Sequence, residues 1–196
     1  MLKKISLLAV FVLLFIVESC KSTTPSRIVS QQSVKTEILG LKLCDKTNED
    51  KVEKALKSAI GEFIITNIQR NQNGKTIRAI PSSFSFSYGG LSWTYVNVYL
   101  DGENSIVLIE LTASYESIDN AKRQYELAVA TFEQKYGKGN VNPQGQLTFW
   151  TDDVNSVGVA YQESAAIDGG DRSFCTLYYV NIALADRLDA LNASDI

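Results

Sequence analysis

The chain of 196 residues contains no histidine. Without imidazole there is no Ser-His or Cys-His couple and no zinc site that needs a histidine ligand, which removes most familiar hydrolase designs. Proline is scarce at three residues, and hydrophobic residues make up 45% of the chain. That balance excludes a disordered stalk and describes a packed globular body. Methionine occurs once, as Met1, so a methionine-rich docking or metal surface is excluded. Net charge is only −3, and the body has no basic cluster dense enough to neutralise phosphates, which excludes nucleic acid as a partner. Walker spacing, the dinucleotide fingerprint and the Gly-x-Ser-x-Gly elbow are all absent, so no cofactor is expected. Gly137-Lys138-Gly139 does not replace them. It follows a predicted helix C-terminus, where the negative end of the dipole disfavours phosphate.

One long, predominantly apolar run is present, from Ile5 to Val17, preceded by Lys3 and Lys4. At about 13 residues it is too short to span a bilayer and fits the core of a secretory leader. Val17-Glu18-Ser19-Cys20 closes it, with an aliphatic residue three places before the cysteine and a small one just before it. The segment resembles the type II signal peptides of bacterial lipoproteins, departing from them at Glu18. The resemblance implies that residues 1–19 are removed and that Cys20 carries a lipid anchor holding the protein on a membrane. Lys21 stands where lipoproteins retained at the inner membrane commonly carry Asp. The expected location is therefore the outer membrane, facing the periplasm. Residues 20–36, polar and containing Pro25, read as the lipidated cysteine and a flexible tether, and residues 37–196 as a single domain. Of the three cysteines, lipidation uses one. Cys44 and Cys175 remain, either as a disulfide permitted by an oxidising compartment or as two buried thiols.

Within the body, Thr47 and Asp50 precede apolar residues at Val52, Ala55, Leu56, Ala59 and Ile60, the spacing of an amphipathic helix that Gly61 ends. Strand-like runs follow at 63–69, 76–80, 84–88, 92–100 and 106–115, with Asn73-Gly74 and Asp101-Gly102 as hairpin turns. A second helix spans about Ile118 to Tyr136, opened by Ser117 and closed by Gly137. Further strands fall near 146–151, 157–162 and 174–183, then a short helical tail through Leu188 and Leu191. The order predicts an α+β fold: a curved antiparallel sheet with two main helices on one face, built as a pseudo-duplicated helix-then-strands unit. At that level the body resembles the small helix-plus-sheet modules of periplasmic lipoproteins and of β-lactamase inhibitor proteins. It is also similar to lipoproteins of unknown function that begin with a Leu-Gly-Leu lead-in, here Leu39-Gly40-Leu41. The resemblance carries no functional residues.

The strongest site candidate is aromatic. Alternation along 92–100 puts Trp93, Tyr95, Asn97 and Tyr99 on one face, where Trp150 from a later strand would join them as a binding face. The competing reading is that these rings stabilise the sheet or are simply buried. Asp168-Gly169-Gly170-Asp171 offers too few oxygens for calcium and reads as a turn, and Asp152-Asp153 as a hairpin loop, so no metal site is expected. These features predict a lipid-anchored, non-enzymatic cell-envelope protein that binds a protein partner through the aromatic face. The alternative is a small-ligand or glycan binder using the same face, and a carboxylate-dependent hydrolase ranks third.

Overall fold

The structure, a computed structural model, describes residues 33–71, 74–164 and 172–184. The leader, Cys20, most of the tether, Asn73, the 168–171 loop, Leu188 and Leu191 lie outside the described residues.

A tight hairpin of β1 (Glu37–Ile38) and β2 (Leu41–Lys42) opens the domain. Helix α1 (Glu49–Ile60) follows, and its cap is Asn48 rather than Thr47: the Asn48 side chain accepts from the Lys51 backbone N–H at 3.0 Å. Asparagine is the stronger cap of the two, and Glu49 and Asp50 then fall in the first turn, where the dipole favours acids. A half-buried ion pair from Lys75 to Glu49, 3.2 Å long, ties the start of this helix to the sheet. Helix α2 (Ile118–Tyr136) has the predicted ends, Ser117 accepting from Asn120 N–H and Gly137 closing the last turn onto the Glu133 carbonyl.

Eight strands form one antiparallel sheet: β3 (Phe63–Asn71), β4 (Gly74–Pro81), β7 (Tyr95–Asp101), β8 (Ile106–Tyr115), β9 (Asn140–Val141), β10 (Leu147–Thr151), β11 (Asn155–Ser164) and β12 (Arg172–Asn181). Their spatial order is β3-β4-β7-β8-β12-β11-β10-β9. Each helix is thus followed by a four-strand meander, and the last strands of the two meanders, β8 and β12, pair at the centre from Tyr115↔Ser173 to Leu108↔Val180. This is the predicted duplication in spatial form. Val52, Leu56 and Ile60 of α1 and Tyr125, Ala128 and Phe132 of α2 enter the same core, against Val96, Val98, Leu111, Val159 and Leu177 of the sheet. Both helices therefore cover one face, as the α+β prediction has it.

Two further local details differ from the sequence reading. The run 92–100 is broken at Thr94, whose N–H and hydroxyl both donate to the Thr112 carbonyl, each at 2.8 Å. Trp93 consequently belongs to a separate hairpin, β5 (Phe86–Tyr88) with β6 (Leu91–Trp93), turned by Gly89 and Gly90 at φ 64° and 77°. In the β7–β8 turn, Gly102 lacks positive φ and Asn104 carries it at 62°. The Asp101 carboxylate fixes this turn by accepting from the N–H groups of Glu103 and Ser105.

Gly139 shows how closely the end of α2 packs on the sheet. A Cβ at this position would lie 2.4 Å from Thr148 Cγ2 and 2.8 Å from the Trp150 ring. That ring packs against both Phe132 and Tyr136 and its indole N–H donates to the Gly137 carbonyl, so it cannot easily give way. Gly139→Ala is expected to destabilise the domain by about 1–3 kcal/mol through overpacking. Chemical denaturation followed by Trp150 fluorescence measures this.

Candidate functional site

The four aromatic residues predicted to share a face do not. Trp93 is fully buried and Trp150 is 4% exposed; both lie in the helix-covered core, each with its indole N–H satisfied by a backbone carbonyl, Tyr88 for Trp93 and Gly137 for Trp150. Tyr95 and Tyr99 point to the opposite face of β7. For Trp93 the physical reason is the break at Thr94, which ends the alternation that linked it to Tyr95, and Trp150 pairs with Val157 of the helix-side core. No aromatic binding face is assembled from these residues.

Of the two readings left open for the cysteines, the structure has the free thiols, although only Cys175 is buried. Cys44 is exposed in the loop before α1, with its backbone N–H bonded to the Ile106 carbonyl, whereas Cys175 is buried on β12 beneath the helices. Both thiols are free. Burial, aided by Asp45 and Asp101, raises the Cys44 thiol, and burial alone raises Cys175. Both shifts run opposite to the lowering that activates a thiol as a nucleophile.

Asp152 organises the loop in which the sequence places it. Burial would raise its carboxyl, but backbone N–H donors from Asn155, Val154 and Val34 outweigh that and hold it below the ordinary aspartate range. The Val34 contact at 2.7 Å fastens the start of the described chain to this loop. Among the described residues, no group of three or more His, Cys, Asp or Glu is placed to hold a metal.

Two features emerge that the sequence did not reveal. One is a polar row on the sheet face opposite the helices, formed because the register sets Arg78 opposite Asn97, Asn97 opposite Glu110 and Glu110 opposite Tyr178. Arg78 Nε donates to Asn97 Oδ1 at 2.9 Å, Asn97 Nδ2 donates to Glu110 Oε2, and Tyr99 Oη donates to the same oxygen at 2.8 Å. The Arg78 guanidinium lies over the Tyr95 ring, 4.9 Å from its centre. Glu110 is 3% exposed. Burial pushes its carboxyl up, opposed by the Asn97 and Tyr99 hydrogen bonds and by Arg78. The hint in the sequence was a single acid inside the run Ile106 to Leu111, but its partners come from other strands.

The second feature is an exposed apolar end of the β3–β4 hairpin. Ile64 begins the edge strand and is 64% exposed; Phe84 follows β4 and is 83% exposed. Because β3 and β4 run antiparallel, with Ser82 N–H bonded to the Glu62 carbonyl, the two residues lie at the same end. Phe84 has φ 64°, a region in which a bulky residue is an outlier. Among the described residues β3 pairs only with β4, so its other edge is open.

Compared with known proteins, the chain matches no family model, no curated protein and no solved structure.

The buried acid sets a pH dependence. A carboxyl raised in the folded state binds its proton more tightly than in the unfolded chain, so its contribution is complete below the ordinary glutamate value of about 4.3 and is lost as pH rises through the folded value. Relative to Glu110→Gln, which keeps an acceptor for Asn97 and Tyr99 but cannot ionise, the wild type should lose stability steadily as pH rises above that point. Urea midpoints of the two proteins across pH 4 to 8 check it. Parallel profiles would show that Glu110 titrates normally.

Proposed function

We propose that the chain is a lipid-anchored protein of the cell envelope that acts by binding a protein partner, without catalysis of its own. The basic start, the apolar run Ile5 to Val17 and the Val17-Glu18-Ser19-Cys20 sequence support the anchor. The polar residues that follow Cys20 give the domain reach from an outer-membrane surface into the periplasm. Exposed Phe84 in the left-handed region is the observation that carries partner binding. Scattered apolar residues on a surface need no explanation, but a phenylalanine held in strained backbone with its ring in solvent carries a cost of roughly 1–3 kcal/mol without compensating burial. At the same end is Ile64, on the outer strand β3, which among the described residues pairs only with β4. That combination suits an extended segment of another envelope protein, which would bond to the strand edge while an apolar side chain covers Phe84. The contact surface thus moves from the aromatic sheet face to the end of the β3–β4 hairpin.

Cys20→Ala is expected to abolish metabolic fatty-acid labelling of the protein; labelling that persists unchanged would remove the anchor from the proposal. For the partner surface, in-cell crosslinking with mass-spectrometric identification of neighbours compares wild type with Phe84→Gly and Ile64→Lys. Glycine accepts the backbone of residue 84 without strain, so Phe84→Gly should fold with stability within about 1 kcal/mol of wild type and yet lose the main crosslinked neighbour. A neighbour retained in both variants would show that the hairpin end is not the contact.

A further inference from the structure

At the β8–β12 pairing the sheet brings a donor and an acceptor close together without joining them. Glu110 and Tyr178 are direct register partners, so their side chains leave the same face with Cβ atoms about 5 Å apart. They are 3% and 1% exposed. Among the described residues, both donors to the Glu110 carboxylate, Asn97 Nδ2 and Tyr99 Oη, reach its Oε2. A carboxylate accepts on either oxygen, so Oε1 can take a further donor.

Tyr178 Oη is a donor in need of an acceptor. Among the described residues it is the one buried side-chain nitrogen or oxygen that has no hydrogen-bond partner. The Thr176 hydroxyl acts on it from the same strand but falls outside bonding geometry, and is paired with Thr112 Oγ1 at 3.4 Å. Burial raises the Tyr178 hydroxyl well above the ordinary tyrosine value, and the Glu110 charge adds to that, so the two groups lie within range of each other. Folded proteins rarely leave such a hydroxyl unpaired, because its full desolvation is then uncompensated.

A group that joins the two must accept from Tyr178 and donate to Glu110 at once. A carbonyl cannot donate and an ammonium cannot accept, whereas a hydroxyl does both. Water is its smallest carrier, and buried water is held where two or more polar groups converge on it. We infer that one water molecule is bound between these residues, accepting from Tyr178 Oη and donating to Glu110 Oε1. It makes the row from Arg78 through Asn97 and Glu110 to Tyr178 one continuous hydrogen-bonded chain across β4, β7, β8 and β12. The water is then a fixed ligand of the fold, and a third donor to the buried carboxylate.

The test combines a crystal structure of the full chain, at a resolution that shows ordered water, with a 13C carboxyl NMR titration of Glu110 in wild type and in Tyr178→Phe. The phenylalanine keeps the ring in its apolar surroundings and removes only the group that anchors the water. The crystal should show a water within hydrogen-bond distance of both Tyr178 Oη and Glu110. Because donation favours the ionised carboxylate, weakening it in Tyr178→Phe should move the Glu110 titration to higher pH and lower the folding equilibrium constant at pH 7 several-fold. An unchanged titration with equal or greater stability would mean that the hydroxyl is unpaired, and would overturn the inference. So would a crystal in which Tyr178 bonds Glu110 directly, or in which a protein group or an organic molecule occupies that position.

Discussion

The pairing of β8 with β12 is the contact on which the rest of the domain depends. Each helix-plus-meander half, taken alone, ends in a long strand with one unpaired edge and apolar residues on both sides. Joining those two strands over the register Tyr115↔Ser173 to Leu108↔Val180 removes both edges at once and leaves as outer strands β3 and the two-residue β9. A strand at the centre of such a sheet must be acceptable to both faces. Eight of the ten residues of β8 are buried, and that is why its sequence reads as a nearly continuous apolar run and not as an alternation.

The same pairing decides where the helices go. Two antiparallel neighbours are related by a twofold axis perpendicular to the sheet, and rotation about that axis exchanges the halves without exchanging the faces. Since α1 and α2 each precede the first strand of their own meander, they arrive on the same side, where Val52 and Leu56 from one and Ala128 and Phe132 from the other share a core. By this symmetry neither α1 nor α2 reaches the opposite side. Its central strands nevertheless carry Leu108, Tyr178 and Val180, so the duplication itself creates a second surface that must be removed from water by other means. Glu110 sits within that surface, and its burial is tolerable because Asn97 and Tyr99 donate to it while Arg78 holds Asn97 in place.

Sequence reading succeeded where the determinant is local. The ends of α2 follow from Ser117 and Gly137, whose chemistry acts within one turn, and the element order follows from periodicity. It failed where one long-range contact changes parity. The bend at Thr94 depends on the Thr112 carbonyl, eighteen residues away, and that single break sends Trp93 into the helix side while Tyr95 faces the other way. Trp150 was expected to join that face from a later strand, but it lies on the helix side, where its indole N–H donates to the Gly137 carbonyl at 2.8 Å. Cys44 and Cys175 could not be judged from spacing, since the question is whether a loop thiol and a core thiol meet, and strand register puts them in different environments. Glu110 was visible as an odd charge in an apolar run, but Arg78, Asn97 and Tyr99 became its neighbours only through pairing of three strands.

Backbone strain separates the hairpin end from the other unusual positions. Among the described residues, four non-glycine positions have positive φ: Leu39, Cys44, Phe84 and Asn104. Leu39 is offset by burial of its side chain in the helix-side core. Asn104 is of a type that tolerates this region, and its N–H closes the turn onto the Asp101 carbonyl. At Cys44, the N–H reaches the Ile106 carbonyl and joins the opening hairpin to the start of β8. Phe84 has a local turn bond to the Pro81 carbonyl, which many residues would make equally well, while its ring gains almost nothing from the fold. A glycine there would satisfy the backbone at lower cost. The ring is therefore the part of this residue that folding does not account for, and contact with another molecule is the physical term that would balance it.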